Sequence, residues 1–317
     1  MWNLDDVPED DLEGAPFWND CTRRRLALWP QTVARLLASK NTPPLVRAIV
    51  AHDSSALAAN LDEASRRRAV GPEDDPMTPL HYAVLADDAA AADALLAAGA
   101  DPDERTGADQ VPLVLEAIAH GSRPVLRRLL PRCDLAVRGP ARRALPPHAW
   151  ALHREDEHDL IDVLEDLAAR GVDVTACYLG GSLLHDGAQG GRLDLVKWCL
   201  ARGMPADLRW RPSSQTPLYE AASHRHAEVV EELLRAGADV RATSLRAEVT
   251  ALHAVASASS QYDDERAATE RVVDLLLARG LTIDVRDGRG QTPLHAACHL
   301  DDVVVAAILL ARGASCD

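Results

Sequence analysis

The sequence predicts an all-α solenoid, built from helix–turn–helix units with projecting β-turn fingers. Two observations predict it: a Thr-Pro-Leu-His-like motif recurs along the chain, and a run of aliphatic residues ending in glycine follows each copy at a nearly constant distance. Clear copies of the motif begin at Thr78, Thr216, Thr250 and Thr292, and a looser copy begins at Ser182. Such self-similarity indicates stacked supersecondary units, which bury a continuous core only together.

The motif is typical of a helix N-terminus. A threonine or serine hydroxyl can accept a hydrogen bond from a free backbone N–H of the first turn, and proline at the next position has a φ angle that already suits a helix. In the copy at Thr216, the aliphatic pairs Val229-Val230 and Leu233-Leu234 repeat at helical spacing, and Gly237 follows them. Each unit is therefore predicted as two helices, with the glycine as the left-handed residue after the second.

The same spacing exposes three degenerate copies, near Pro43, near Pro112 and at Trp150. The predicted array covers residues 43–317, with eight units starting near 43, 78, 112, 150, 182, 216, 250 and 292. We number the units one to eight in this order. Unit seven carries about nine extra residues within 256–266, and insertions in repeat arrays fall in surface loops, often on the binding face.

These strings resemble the ankyrin repeat. The resemblance implies that the fourth motif residue, a histidine in most copies, bonds the motif threonine and neighbouring backbone. It also implies a structural role for His226 and places His224 in the concave groove. Loops such as 280–291 resemble the projecting ankyrin finger. Most members of the family bind another macromolecule.

Residues outside the array are interpreted as a tail and a cap. Residues 1–20 form an acidic, flexible tail, and residues 21–42 form a helical cap with a helix over 31–40. A terminal unit needs a polar outer face. Asp301 and Asp302 supply polarity in unit eight, whereas the run 303–305 of three valines opposes it.

The net charge, the cysteines and the distribution of apolar residues limit which partners and which cellular location we expect. The formal net charge is −15, which disfavours binding to nucleic-acid phosphates and favours either a basic protein partner or simple solubility. The six scattered cysteines fit neither a disulfide framework nor a zinc ribbon, so we expect buried free thiols. With neither a secretory signal nor a membrane-spanning segment in the sequence, we expect a cytoplasmic location and no membrane partner.

Catalytic and metal-binding interpretations are weak. His153 and His158 are five residues apart, whereas a helical zinc pair requires a spacing of four. Cys298 lies one turn from His295, but small residues at its position are usual packing, and an enzyme there would show thiol-sensitive turnover. About 42 residues lie outside the repeats, too few for an ordinary catalytic domain. We predict no enzyme activity, no metal and no cofactor.

The family resemblance places partner contacts at the finger tips and on the exposed face of each first helix. The string Arg209-Trp210-Arg211 is the most prominent candidate, because tryptophan and arginine are enriched at binding hot spots; the alternative is that Trp210 folds back onto the protein. The further candidates are Tyr178, Ser223, His224, Arg246, Tyr262, Arg289 and His299.

The predicted function is a non-catalytic scaffold or inhibitor that binds a protein through the concave groove. The mixed basic and aromatic surface favours an acidic or extended peptide across units five to eight, whereas the net charge favours a basic partner. Two alternatives stay open: a secreted effector or adaptor acting on host proteins, and a bacterial immunity-type inhibitor of a basic toxin or enzyme. The near absence of lysine beside 34 basic residues suits a GC-rich, bacterial genome.

Overall fold

The computed structural model describes residues 30–62, 77–106, 111–120, 122–136, 147–151, 160–178, 181–211, 213–245, 247–257 and 266–316. These residues form two compact parts that meet in the sequence between Val174 and Thr175. The predicted tail at 1–20 lies outside the described residues. The predicted cap contributes a helix at 30–38, and the boundaries of tail, cap and array stay predictions.

The N-terminal part consists of helix pairs and one short hairpin. Its helices are α1 (30–38), α2 (Pro44–Val50), α3 (Ser54–Ala59), α4 (Pro79–Leu85), α5 (Ala89–Ala97), α6 (Leu113–His120), α7 (Arg123–Leu129), α8 (Pro147–Ala151) and α9 (Leu160–Ala169). Strands β1 (Arg105–Thr106) and β2 (Val111–Pro112) pair antiparallel, with Thr106 opposite Val111. This hairpin is the finger that leads into unit three.

The C-terminal part contains units five to eight, each with two helices. They are α10 (Leu183–Gln189), α11 (Leu193–Ala201), α12 (Pro217–Ser223), α13 (Ala227–Arg235), α14 (Ala251–Ser257), α15 (Arg266–Ala278), α16 (Pro293–His299) and α17 (Val303–Ala311). First helices of successive units contact one another, as do second helices. The eight residues between α14 and α15, which include most of the insertion in unit seven, lie outside the described residues.

The motif begins the first helix as predicted. The Thr78 hydroxyl accepts a hydrogen bond from the backbone N–H of His81 at 3.3 Å, and Thr216 does the same for Tyr219 at 3.2 Å. Glycine follows the second helix with positive φ, as at Gly237 (95°). Residues with a Cβ are strained in this conformation, so the glycine determines where the helix ends.

The core is built mainly from alanine, leucine and valine. Val229, Val230, Leu233 and Leu234 of α13 are all at most 2% exposed, as the helical spacing predicts. The motif histidines connect neighbouring units: the imidazole of His253 bonds the Thr250 hydroxyl (2.9 Å) through Nδ1 and the Gln291 carbonyl (3.1 Å) through Nε2. The histidine role implied by the resemblance is therefore confirmed here.

Three details differ from the sequence prediction. Helix α8 begins at Pro147, three residues before the motif at 150, because proline suits the first helical turn. Unit three opens from a paired strand and not from a turn alone. Of the five described cysteines only Cys199 is buried, while Cys177, Cys298 and Cys316 are exposed, so the expectation of buried thiols is wrong for these three. All five are free thiols.

None of the helices in the described ranges is both long and apolar enough to cross a lipid bilayer.

Candidate functional site

The fingers that precede units six, seven and eight are three similar hairpin turns. Each is closed by a main-chain hydrogen bond: from Trp210 N–H to the Gln215 carbonyl (2.8 Å), from Ser244 N–H to the Val249 carbonyl (3.1 Å), and from Asp287 N–H to the Gln291 carbonyl (2.8 Å). The residues that turn the chain lie between these closing pairs. Their backbones are therefore held in place by the hairpins themselves.

Main-chain hydrogen bonds also join the fingers to one another. The Leu245 N–H donates to the Ser213 carbonyl at 3.3 Å, and the Gly288 N–H donates to the Ala247 carbonyl at 2.8 Å. Arg209 adds a side-chain link, because its guanidinium donates to the Thr243 carbonyl on the next finger at 2.8 Å. Arg209 is thus a positioning residue that joins two fingers.

Arg211, Leu245 and Arg289 occupy the tips of the three successive fingers. All three side chains are exposed, Leu245 to 72%. Neither arginine side chain has a hydrogen-bond or ion-pair partner among the described residues. We call these three residues the tip row. Sequence reasoning missed Leu245, although an aliphatic residue in a finger turn, where fingers usually carry glycine or polar residues, was a usable signal.

Trp210 packs inward and is half-buried. Its indole lies over Gly181, where an added Cβ would sit 3.4 Å from the ring, and it meets the His185 imidazole edge-on with 5.6 Å between ring centroids. These contacts connect the finger of unit six with unit five. The alternative of a folded-back tryptophan therefore describes the arrangement better than a free tip.

Tyr178 lies on the finger before unit five, next to the N-terminal end of α10. Its hydroxyl donates to the Asp186 carboxylate. Burial raises the pKa of Asp186 to about 6, although the bond from Tyr178 opposes this, and burial followed by the Asp186 charge raises the pKa of Tyr178 well above its ordinary value. Tyr178 therefore fixes a buried carboxyl group, and its hydroxyl is already used within the protein.

His224 and Ser223 lie together at the end of α12. The Ser223 hydroxyl contacts His224 Nδ1 at 2.9 Å and donates to the Glu220 carbonyl at 2.9 Å. The ring of His224 is exposed and lies parallel to that of His226, whose Nε2 contacts the Gln189 carbonyl at 2.9 Å. His226 therefore has the structural role that the resemblance implied, while His224 presents an open ring edge.

One further candidate is placed on unit eight, and two candidates lie outside the described residues. His299 is exposed at the end of α16, one residue after the exposed Cys298. Arg246 and Tyr262 lie outside the described residues.

A buried cluster of ionisable groups in the N-terminal part was not predicted. His81 Nε2 lies 2.5 Å from the Glu116 carboxylate, and both side chains are almost completely buried. The Thr78 hydroxyl donates to Glu104, and burial raises the pKa of Glu104 to about 7, opposed by that hydrogen bond. The acidic residue one place after the motif histidine position in unit three, Glu116, was the available signal.

Within the described ranges, no group of three or more His, Cys, Asp and Glu side chains is arranged to hold a metal ion.

Family models match three stretches of the chain. A model described as "Ankyrin repeats (3 copies)" matches residues 150–244, which correspond to units four to six. A model described as "Ankyrin repeat" matches residues 77–107 and 289–317, which correspond to units two and eight. The matched ranges coincide with units inferred from the motif spacing alone.

Curated relatives match over parts of the chain. "Ankyrin repeat and KH domain-containing protein mask-1" of Caenorhabditis elegans is 31% identical over 42% of this chain and 5% of its own length. "Ankyrin repeat and KH domain-containing protein 1" of Homo sapiens is 35% identical over 32% of this chain and 4% of its own length. "Ankyrin repeat and SOCS box protein 11" of Danio rerio is 39% identical over 31% of this chain and 30% of its own length. The chain therefore spans a small part of these relatives' lengths.

Ankyrin repeats are generally non-catalytic modules for protein–protein interaction, and all three of these relatives are named for them. The motif spacing, the capped helix pairs and the matching models agree, and the matched stretches of this chain are ankyrin repeats.

Proposed function

We propose that this protein is a non-catalytic interaction protein, which holds an extended acidic segment of another protein along the fingers of units six to eight. The observation that carries the proposal is the tip row. Arg211 and Arg289 are exposed, and neither side chain is paired within the part of the chain that the structure describes. Leu245 lies on the finger between them with 72% of its surface open to solvent.

The side chains of the tip row suit an acidic peptide with an apolar residue. An arginine can bind a carboxylate through two parallel hydrogen bonds, and Leu245 offers apolar contact between the two cations. The protein carries a net charge of −15, so Arg211 and Arg289, on the fingers to either side of the one that bears Leu245, place positive charge locally on an acidic body. Such a region orients an acidic partner and disfavours a basic one at this place.

The fingers are a stiff platform for such a partner. The hydrogen bonds from Leu245 to Ser213 and from Gly288 to Ala247 join the three turns, and Arg209 strengthens the first junction. A preorganised surface loses little conformational entropy on binding. His224, Ser223 and His299 on the first helices extend the proposed surface into the groove.

The test uses fluorescently labelled peptides in which a single leucine or phenylalanine is flanked by Asp and Glu. Peptides with the acids replaced by Lys are the charge-reversed control. We expect the parent protein to bind the acidic peptides, and the variant Arg211→Ala/Arg289→Ala to bind them at least about tenfold more weakly, since each charged hydrogen bond contributes on the order of 1.5–3 kcal/mol.

The control is Arg235→Ala, which removes an exposed arginine that lies on α13, outside the fingers, and pairs with Glu232. Equal affinity of the parent and the double variant would overturn the proposal. Stronger binding of the lysine peptides would also overturn it, and would favour the alternative of an inhibitor of a basic toxin or enzyme.

A further inference from the structure

A cavity of about 340 Å³ lies where the second helices of units six and seven end. The residues that line it come from the end of α13, from the loop after α13 and from the position directly after α15. They are Leu234, Ala238, Asp239, Val240, Arg241 and Arg279. We call this space the arginine cavity. It shares no residue with the tip row.

The most deeply buried residues of the arginine cavity are apolar. Leu234 is 2% exposed, and Ala238 and Val240 are each 8% exposed. The three charged residues of the cavity, in contrast, are exposed and form its rim. A group that fills the cavity therefore meets apolar side chains at one end and charged side chains at the other.

The two arginine side chains of the rim are held by main-chain carbonyl groups. Nη1 of Arg279 donates to the Leu234 carbonyl at 2.6 Å, and Nη2 of Arg241 donates to the Gly280 carbonyl at 3.4 Å. Because Gly280 directly follows Arg279, the two guanidinium groups approach the same turn from neighbouring units. The other side-chain N–H groups of both arginines have no hydrogen-bond partner among the described residues.

Neither guanidinium of the rim forms an ion pair within the described ranges, although the equivalent arginine in unit eight does. Arg312 directly follows α17, as Arg279 follows α15, and its Nη2 lies 2.8 Å from Asp274 of the preceding unit. The residue of unit six that is equivalent to Asp274 is Glu231, and it is bound by Arg271 at 2.6 Å. Arg279 therefore lacks the carboxylate partner that its counterpart has.

We propose that the arginine cavity binds a carboxylate carried by a short apolar chain. The unused N–H groups of Arg241 and Arg279 can donate charge-assisted hydrogen bonds to the carboxylate oxygens. The chain would pack on Leu234, Ala238 and Val240, and so remove apolar surface from water. This site is independent of the fingers and of the proposed function.

The charges of the rim favour a monoanion. Two guanidinium groups and the Asp239 carboxylate leave one positive charge, which a single carboxylate neutralises. The ends of helices carry partial negative charge, but here Arg279 and Arg241 already bond the carbonyls of Leu234 and Gly280, which offsets it. The cavity is also near the lower end of the range of about 300–1,000 Å³ for small-ligand sites, so it suits a chain of a few carbons.

The test is an NMR titration of the full, isotope-labelled chain with isocaproate and with N-acetyl-leucine. We expect saturable shifts of the backbone signals of residues 238–241 and of Gly280. Arg279→Gln and Arg241→Gln should each weaken binding at least about tenfold, because each replaces a charged hydrogen-bond donor by a shorter, neutral one. Arg271→Gln is the matched control, since it removes an arginine of α15 that is paired with Glu231, and it should bind like the parent.

The chemistry of the ligand is tested on the parent protein alone, so this part does not depend on whether a variant folds. Isocaproamide, which lacks the charge, and inorganic phosphate, which lacks the chain, should each bind at least about tenfold more weakly than isocaproate. Tighter binding of N-acetyl-leucine than of isocaproate would support the proposal and assign the cavity to the C-terminal residue of a partner chain. Tighter binding of isocaproate would support it and assign the cavity to a free acid.

Three results would overturn the proposal. The first is the absence of saturable shifts with both acids, and the second is binding of isocaproamide or phosphate as tight as that of isocaproate. The third is a loss of affinity in Arg271→Gln as large as that in Arg279→Gln, with circular dichroism showing that both variants are folded.

Discussion

Arg225 and Asp302 form a buried ion pair although 77 positions separate them in the sequence. Nη2 of Arg225 lies 3.4 Å from Oδ2 of Asp302, and their side chains are 6% and 2% exposed. Arg225 occupies the turn of unit six with a φ of 59°, and Asp302 is the N-cap of α17 in unit eight, where Oδ1 accepts the Val305 N–H at 3.0 Å. One carboxylate thus starts a helix and ties unit eight to unit six.

Asp302→Ala should destabilise the protein strongly. It leaves the Arg225 charge buried without this partner, which costs about 3–5 kcal/mol, and removes a helix cap that contributes about 1 kcal/mol. Urea unfolding followed by circular dichroism measures the loss. Asp302→Asn is the control that keeps a side-chain oxygen to cap the helix but removes the negative charge. It should therefore recover only the capping contribution to the stability, which is the smaller of the two. A change for Asp302→Ala within about 0.5 kcal/mol, the range of ordinary surface substitutions, would contradict the prediction.

His253→Ala and His295→Ala form a matched pair at the same motif position. The first removes a buried ring that bonds Thr250 and the carbonyl of Gln291, and we expect a loss of about 2 kcal/mol. The second removes an exposed ring that contacts Thr292 alone, and should cost less than about 1 kcal/mol. Thermal unfolding of dilute protein measures both. Equal losses of stability for the two variants would show that the hydrogen bond from His253 to the Gln291 carbonyl of the next finger contributes nothing to stability.

Gly191 is predicted to tolerate no side chain. Its φ is 68°, and an added Cβ would lie 2.6 Å from Nδ1 of His226, whose ring holds the Gln189 carbonyl. Gly191→Ala should therefore cost more than about 2 kcal/mol, from overpacking and backbone strain together. At Gly203 φ is 82° and nothing lies within 4 Å of an added Cβ, so Gly203→Ala measures the backbone part alone, about 1 kcal/mol. Similar losses for the two variants in urea unfolding would argue against the contact with His226.

Glu104 should make the protein more stable as the pH falls from 7 toward 4.5. Burial raises its pKa from 4.5 to about 7, so in this interval the folded chain holds a proton that the unfolded chain lacks. Glu104→Gln mimics the protonated group and should stabilise the protein at pH 8 by at most about 3 kcal/mol, an upper bound because the side chain keeps some contact with water. At pH 4.5 the variant and the parent should be nearly equal.

The difference between variant and parent is the quantity to measure, because other groups titrate in the same interval. Burial lowers the pKa of His185 from 6.5 to about 4, so its contribution has the opposite sign and is lost as the pH falls. Urea unfolding at several pH values separates the two groups. A difference between Glu104→Gln and the parent that does not change with pH would refute the assignment.

Trp210→Ala should lower stability, in contrast to Arg211→Ala. The indole covers Gly181 and contacts the His185 ring, so its removal should cost about 1–2 kcal/mol for a half-buried aromatic residue. The Arg211 side chain is exposed, so the variant Arg211→Ala should have the same melting temperature as the parent. Thermal unfolding compares the two variants. An unchanged melting temperature for Trp210→Ala would contradict the packing role of the indole and would again favour Trp210 as a partner-contact residue.

The sequence by itself determined the local structure of the repeats. Thr216 and Pro217 start a helix, and Gly237 ends the next one, through backbone geometry and hydrogen bonds within a few residues. The aliphatic spacing then determines which face of each helix is buried. These are short-range effects that repeat with the motif, so the starts and ends of these helices could be predicted, whereas the histidine bonds were implied by the resemblance to the ankyrin repeat. The paired strands before unit three were not, because their register depends on a hydrogen bond across the finger.

Only the tertiary structure decided how individual side chains are used at the surface. Trp210 and Leu245 both lie on fingers, but one packs onto Gly181 and the other is exposed, since the stacking of neighbouring units determines what each finger touches. The sequence predicts that Asp302 is a polar surface residue, but its carboxylate is buried against Arg225. It predicts that Cys298 is packed in the core, but this side chain is exposed. The physical reason is the same in each case. A motif encodes the conformation of its own unit, whereas burial depends on which unit lies next to it.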